Sequence, residues 1–191
     1  MKNLFLIAAL TFLSTSLFAQ WAVDKGQSKI TFIVSHHGIS ELDGYFKKYD
    51  VSLTAKQDDL SDAVFEITIE AASINTDFEM RDNSLKGEDL FNVEKYPTLH
   101  FISTSFKKKQ GNEYAMSGNI TIKGITKPIN LDVIMNGPVA NPNKNVKAIQ
   151  IGIKATGKIK RSDFNIGAGL ESAFVSDEVQ IRVTGEFGKN L

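Results

Sequence analysis

The sequence predicts an all-β protein, an eight-stranded antiparallel barrel with a short helical insertion around residues 76–91. Three observations carry this reading. Apolar and polar residues alternate in segment after segment from Ile30 onward, the segments are divided by turn chemistry such as Lys109-Gln110-Gly111-Asn112 and Asn136-Gly137-Pro138, and helical spacing is scarce. Eight short strands with hairpin links suit an up-and-down barrel, which removes exposed edges and leaves an interior just wide enough for side chains or one small ligand. A sandwich is the competing architecture, because period 2 alone does not separate the two.

The chain opens on Met1-Lys2-Asn3, an almost wholly apolar run from Leu4 to Leu13, and small polar residues before Phe18-Ala19-Gln20. That is the order of a secretory signal, with cleavage expected after Ala19 and a mature domain over 20–191. Its apolar run is about ten residues, short of the roughly 20 needed to span a bilayer. An exported protein, periplasmic or secreted, with no membrane span is expected.

In the first strand Ile30, Phe32, Val34 and His36 share one face. Phe46 belongs to a second segment running through Val51 and Leu53, and Ala63, Phe65, Ile67, Ile69 and Ala71 line one face of a third, opposite Glu66, Thr68 and Glu70. Five more runs follow at Thr98 to Phe106, Glu113 to Lys123, Pro128 to Asn136, Val146 to Ile159 and Glu178 to Phe187. Between the third and fourth, Phe78, Arg81 and Leu85 stand three to four residues apart, and Gly87 predicts an early stop to that helix. The Lys107-Lys108-Lys109 run beside the Gly-Asn turn reads as a solvated hairpin tip.

Composition narrows the chemistry. The 191 residues are 42% hydrophobic and 23% charged, enough for a core. Lys plus Arg and Asp plus Glu are 22 each, so no basic excess points to nucleic acid. Without cysteine there are no disulfides, thiolate metal sites, cysteine nucleophiles or acylated anchor. Adjacent His36 and His37 point to opposite strand faces and cannot readily grip one metal; His36 and His100 could converge across the sheet, but no third ligand is evident. Gly167-Ala168-Gly169 lacks the third glycine and the strand–helix context of a dinucleotide loop, and no nucleophile elbow or zinc-binding helix motif occurs. What stands out is the apolar load on alternating faces, with 13 Phe, which either fills a barrel lumen or lines one.

Several strings are similar to one family. Trp21-Ala22-Val23-Asp24, Ser28 to Phe32 with His36 and Gly38, and Gly44-Tyr45-Phe46 resemble the opening of YceI-like proteins. Ser73-Ile74-Asn75-Thr76, Arg81-Asp82 with Leu85, Asp89-Leu90-Phe91 and Tyr96 to Phe101 resemble its centre. Gly118 to Ile122 with Lys123 to Pro128, and Arg161-Ser162-Asp163-Phe164, resemble its later motifs; Asn165 stands where the family usually has glycine. The resemblance implies a lipocalin-like barrel, exported in many members, that binds an amphiphilic isoprenoid such as a polyprenyl phosphate or a quinone, without catalysis or cofactor.

Carried onto this chain, it implies an apolar wall of Phe32, Val34, Phe65, Ile67, Ile120, Leu131, Val133, Ile151 and Ile181, with His36 and Arg81 at the polar end. For Arg81 the competing role is a local helix pair with Asp77. The expected partner is an apolar or amphiphilic small molecule, with a homodimer as an option. A pocket above about 300 Å³ is expected along the barrel axis. Two other readings stay open: an exported interaction module whose filled barrel displays loops such as Thr76 to Tyr96, favoured if interlocked Phe side chains close the lumen, and a lipid-modifying hydrolase or isomerase acting through His36 or His100.

Overall fold

The computed structural model describes residues 19–190, residue 58 excepted. The leader therefore lies outside the described residues. Ten strands form one sheet that closes on itself: β1 (Ala19–His36), β2 (Ser40–Phe46), β3 (Tyr49–Ala55), β4 (Val64–Glu70), β5 (Ile74–Asn75), β6 (Thr98–Lys108), β7 (Glu113–Ile122), β8 (Ile125–Ala140), β9 (Ala148–Lys160) and β10 (Val175–Asn190). Every pairing is antiparallel. The barrel runs β1, β3, β4, β6, β7, β8, β9, β10 and returns to β1, giving the eight strands read from the sequence.

Apart from Phe46, β2 and β5 lie outside the strands that the sequence predicts. β1 is long enough to serve two neighbours along one edge, pairing with β3 over Ala19–Trp21 and with β2 over Thr31–His36. β5 then adds to β2 through Tyr45↔Asn75 and Phe46↔Ile74, extending the wall past the ends of β3 and β4. The segment expected to run from Phe46 through Leu53 breaks between β2 and β3, where Lys47 donates its N–H to the Ser73 carbonyl.

The helix α1 (Glu79–Lys86) occupies only the middle of its expected span. It ends where Gly87 donates back to the Ser84 carbonyl. Its N-terminal side is held by Asp82: one carboxylate oxygen accepts from the Thr76 N–H at 2.8 Å and from the Thr76 hydroxyl at 2.6 Å. Buried Asp82 thus has two hydrogen-bond donors on one carboxylate oxygen, which offset the cost of burying it.

The interior is one apolar column in two parts. Around Phe65, the rings of Phe106 and Phe187 stand 5.1 and 6.4 Å away, and Phe106 stacks on Tyr114 at 4.8 Å. Toward the helix end a second group gathers on Ile30, Phe46, Ile74, Leu99 and Phe164. Ile67, Ile120, Ile159 and Val183 pack against both and join them. Each fully buried Phe or Ile in this column contributes roughly 1.5–3 kcal/mol, so the column dominates stability.

Candidate functional site

The candidate site is the lumen, and it is nearly full. Its internal cavity measures about 40 Å³ and is bordered by Val51, Phe65, Ile67, Met116, Leu131 and Ala155 among others. Among the described residues the enclosed lumen thus falls short of the roughly 300 Å³ expected along the barrel axis. The reason lies in three inward-facing glycines over which larger side chains lie. A β-carbon on Gly118 would meet the Phe101 ring at 2.5 Å, one on Gly157 would meet Leu131 at 2.4 Å, and one on Gly185 would meet the Phe187 ring at 3.2 Å. Large and small residues interdigitate as small barrels require. Alternation shows which residues point inward and puts these glycines inward too, but which side chains lie over them is set by cross-strand register.

Both ends of the column are shut. After β3 the chain turns so that Leu60, with φ 59°, is only 2% exposed and packs into the core around Phe65. The turn is tied by Asp62, whose carboxylate accepts from the N–H groups of Lys56 and Gln57 at 3.0 Å each. The Gln57 N–H bond, partly opposed by desolvation, holds that carboxyl below its ordinary range. Outside Leu60 a mouth of about 680 Å³ is bordered by Trp21, Phe106, Lys107, Lys108 and Tyr114. Of the lysine run, Lys109 pairs with Asp132 at 2.7 Å, while Lys107 and Lys108 edge this mouth.

At the other end stands Arg161, 6% exposed and hydrogen-bonded only to backbone. Its guanidinium donates to the carbonyls of Ile166, Gly167, Leu170, Val175 and Ser176 at 2.6 to 3.3 Å, binding the segment that carries Phe164 and Ile166 across the barrel end. Asn165 takes the left-handed conformation (φ 53°) there, which explains how it can stand in place of glycine. Next to it, Asp177 accepts from the Ser162 N–H and hydroxyl at 2.9 and 2.8 Å, and these bonds hold its carboxyl below the ordinary range.

The structure brings part of the expected wall together. Phe65, Ile67 and Leu131 border the cavity; Val133 and Ile151, 1% and 2% exposed, lie in the same core group. Half-buried Ile120 links the two groups, and Ile181 packs against the first. Phe32 sits instead in the helix-end group, 5.9 Å from the Phe46 ring, and half-buried Val34 pairs with Leu42 and Val179 outside both.

The polar residues do not converge. His36 ends β1 with its ring 4.1 Å from that of His37, which in turn lies edge-on to Phe174 at 5.3 Å. His100 Nε2 is 2.9 Å from the Glu66 carboxylate. Among the described residues no group of three or more candidate ligands could hold a metal ion. Arg81 does not pair with Asp77, because α1 begins only at Glu79 and Asp77 has left-handed backbone (φ 56°). It donates Nε and Nη2 to the hydroxyl and carbonyl of Thr76 at 2.7 and 2.8 Å, while Asp77 accepts from Asn75.

Comparison with known proteins places these features. The family described as YceI-like domain matches residues 21–187. The chain is 37% identical over 189 residues to Protein YceI of Salmonella arizonae, covering 96% of this chain and 97% of that one. It is 36% identical over 174 residues to a UPF0312 protein of Photorhabdus laumondii, covering 90% and 88%. Among solved structures it is similar to BcnA of Burkholderia cenocepacia, with TM-score 0.76 and 26% identity over 86% of this chain and 98% of that one. The Campylobacter jejuni YceI protein matches with TM-score 0.70 and 32% identity over 78% and 85%. A polyisoprenoid-binding domain from Saccharophagus degradans shares the fold, with TM-score 0.66 and 16% identity over 90% and 99%.

Proposed function

The chain belongs to the YceI-like family, and on that premise we propose that it is a non-enzymatic carrier or sequestering protein for an amphiphilic isoprenoid, a polyprenyl phosphate or a quinone, acting outside the cytoplasm. The observation that supports this most is the unbroken apolar column inside a closed barrel, running from Leu60 to Phe164 through Phe65 and Ile67. A folded protein needs a core, but this one encloses its cavity almost entirely with alkyl and aromatic groups, the surface an isoprenoid chain wets best. The structural neighbour from Saccharophagus degradans, described as polyisoprenoid-binding, supports the choice of ligand class. The proposed wall is Phe65, Ile67, Leu131, Val133 and Ile151, with Phe32, Val34, Ile120 and Ile181 at its margins. Met116 and Met135, unbranched and adaptable, are the side chains best able to move aside for a ligand.

A cavity of about 40 Å³ is too small for such a chain, so occupancy requires the lumen to expand. That same observation favours a second reading, an interaction module whose filled barrel displays its loops. Organic extraction of the protein purified from its native host, followed by mass spectrometry, separates them. A stoichiometric isoprenoid supports the carrier. Ligand-free protein that takes up neither polyprenyl phosphate nor quinone overturns it in favour of the module.

A further inference from the structure

The barrel wall is not hydrogen-bonded all the way round. β8 and β9 pair from Asp132↔Thr156 to Ala140↔Ile149, but beyond Asp132 and Thr156 the ladder stops. Residues 125–131 of β8 pair only with β7, and residues 157–160 of β9 only with β10. Pro128 lies in this unpaired stretch. Proline has no N–H to give a ladder and is confined to strand edges, so the sequence marks an edge where a closed barrel should have none. Gly157 then lets the Leu131 side chain lie across the split, filling the place of the missing contact.

Outside this seam is a concavity of about 580 Å³. Its floor is Ile129, Gly157 and Ile181, and its polar rim is formed by Asn130, Thr156, Gln180 and Arg182. Leu131, whose side chain overlies Gly157 on the floor, also borders the internal cavity. One layer of side chains therefore separates an external groove with a polar rim from the apolar lumen, at a stretch where these two strands are not paired in a ladder. At the barrel ends, by contrast, Leu60 and the Arg161-bound segment stand in the way.

We propose that the β8–β9 seam is a lateral port: the apolar chain of an amphiphile passes between Leu131 and Ile181 into the lumen, and its polar head stays in the rim of Asn130, Thr156, Gln180 and Arg182. This rests on the lumen-binding reading above and adds the route and the seat of the head group. Locking the seam tests it. The native chain has no cysteine and a single tryptophan, Trp21, buried in the lumen core, which serves as reporter. Lys127→Cys with Lys160→Cys, both exposed and neither in the rim, supplies one thiol in each unpaired stretch, to be bridged across the seam by a bis-maleimide. Thr121→Cys with Thr126→Cys supplies the same bridge across an intact ladder. Uptake of farnesol is followed by Trp21 fluorescence. Bridging the seam should slow uptake about tenfold or more relative to the same protein with singly capped thiols, as expected for a gate that sets the rate, and the reference bridge should not. Equal rates with and without the seam bridge overturn the port and leave lumen binding standing. Failure of the capped, unbridged protein to take up farnesol at all overturns both.

Discussion

The Phe101 ring lies so close to Gly118 that a β-carbon there would sit 2.5 Å from Cε2, with the Ile102 carbonyl 2.6 Å away on the backbone side. The ring could shift but the carbonyl cannot without distorting β6. Gly118→Ala should therefore destabilise the protein by about 1–3 kcal/mol through overpacking. Gly152→Ala, at a strand position with nothing within 4 Å, should change stability by less than about 1 kcal/mol and can raise it. Urea midpoints of the two variants measure the contrast.

Val133 and Val34 answer whether the lumen wall can take more volume. Val133→Phe, at a position 1% exposed, should cost about 1–3 kcal/mol, whereas half-buried Val34 should accept Phe for less than about 1 kcal/mol. If the lumen carries an isoprenoid, Val133→Phe also lowers the amount recovered on extraction and Val34→Phe changes it little.

Arg161→Lys keeps the charge but replaces a planar five-donor fork by one ammonium, which cannot reach five carbonyls. A loss of about 1.5–3 kcal/mol is expected. Amide exchange should rise in residues 162–176 before it rises in β6 or β7, because the guanidinium holds that segment in particular.

Asp177 gives the same segment a pH dependence. Its carboxyl titrates below the ordinary value near 4 because the Ser162 N–H and hydroxyl donate to the charged form. A depressed carboxyl contributes stability that is present above the unfolded value and is lost as pH falls through the folded one. Wild type should lose its advantage over Asp177→Ala as the pH is lowered below about 4. Thermal midpoints of both proteins across that range check it.

Arg81→Ala should cost about 1–2 kcal/mol, since two bonds from a half-buried guanidinium to Thr76 disappear. Affinity for a polyprenyl phosphate and for a quinone of equal chain length should be the same in variant and wild type. More than about tenfold weakening for the phosphate alone would move the head group to α1.

Much of this barrel was legible because each of its eight strands alternates on its own: Phe65, Ile67 and Ile69 face inward whatever their partners do. β2 is harder to read because its inner face over Ser40 to Phe46 is Leu42, Gly44 and Phe46, and with glycine in the middle the alternation rests on two apolar side chains. The state of the lumen was not legible from side-chain type, since Phe101 and Leu131 look alike whether they line a space or fill it. Gly118 and Gly157 decide that, through cross-strand register rather than local pattern. Arg161 was visible as part of a motif but not as a clamp, because its five acceptors are backbone carbonyls brought together only by the fold.

β1 has one more consequence, in time rather than in space. Its outer edge is completed by β10, so that the Thr31 hydroxyl bonds to the Arg182 carbonyl across 151 residues of chain. Closing so long a loop is slow, and synthesis delivers the first strand long before the last. For that interval the longest strand of the protein presents an open ladder to any neighbour. Part of the edge carries a bulge between Asp24 and Lys29, with Lys25 drawn toward Asp50 of β3, and a charged, irregular edge resists pairing with another chain. The same few residues that fit the finished barrel thus act as a guard while it is still an unrolled sheet.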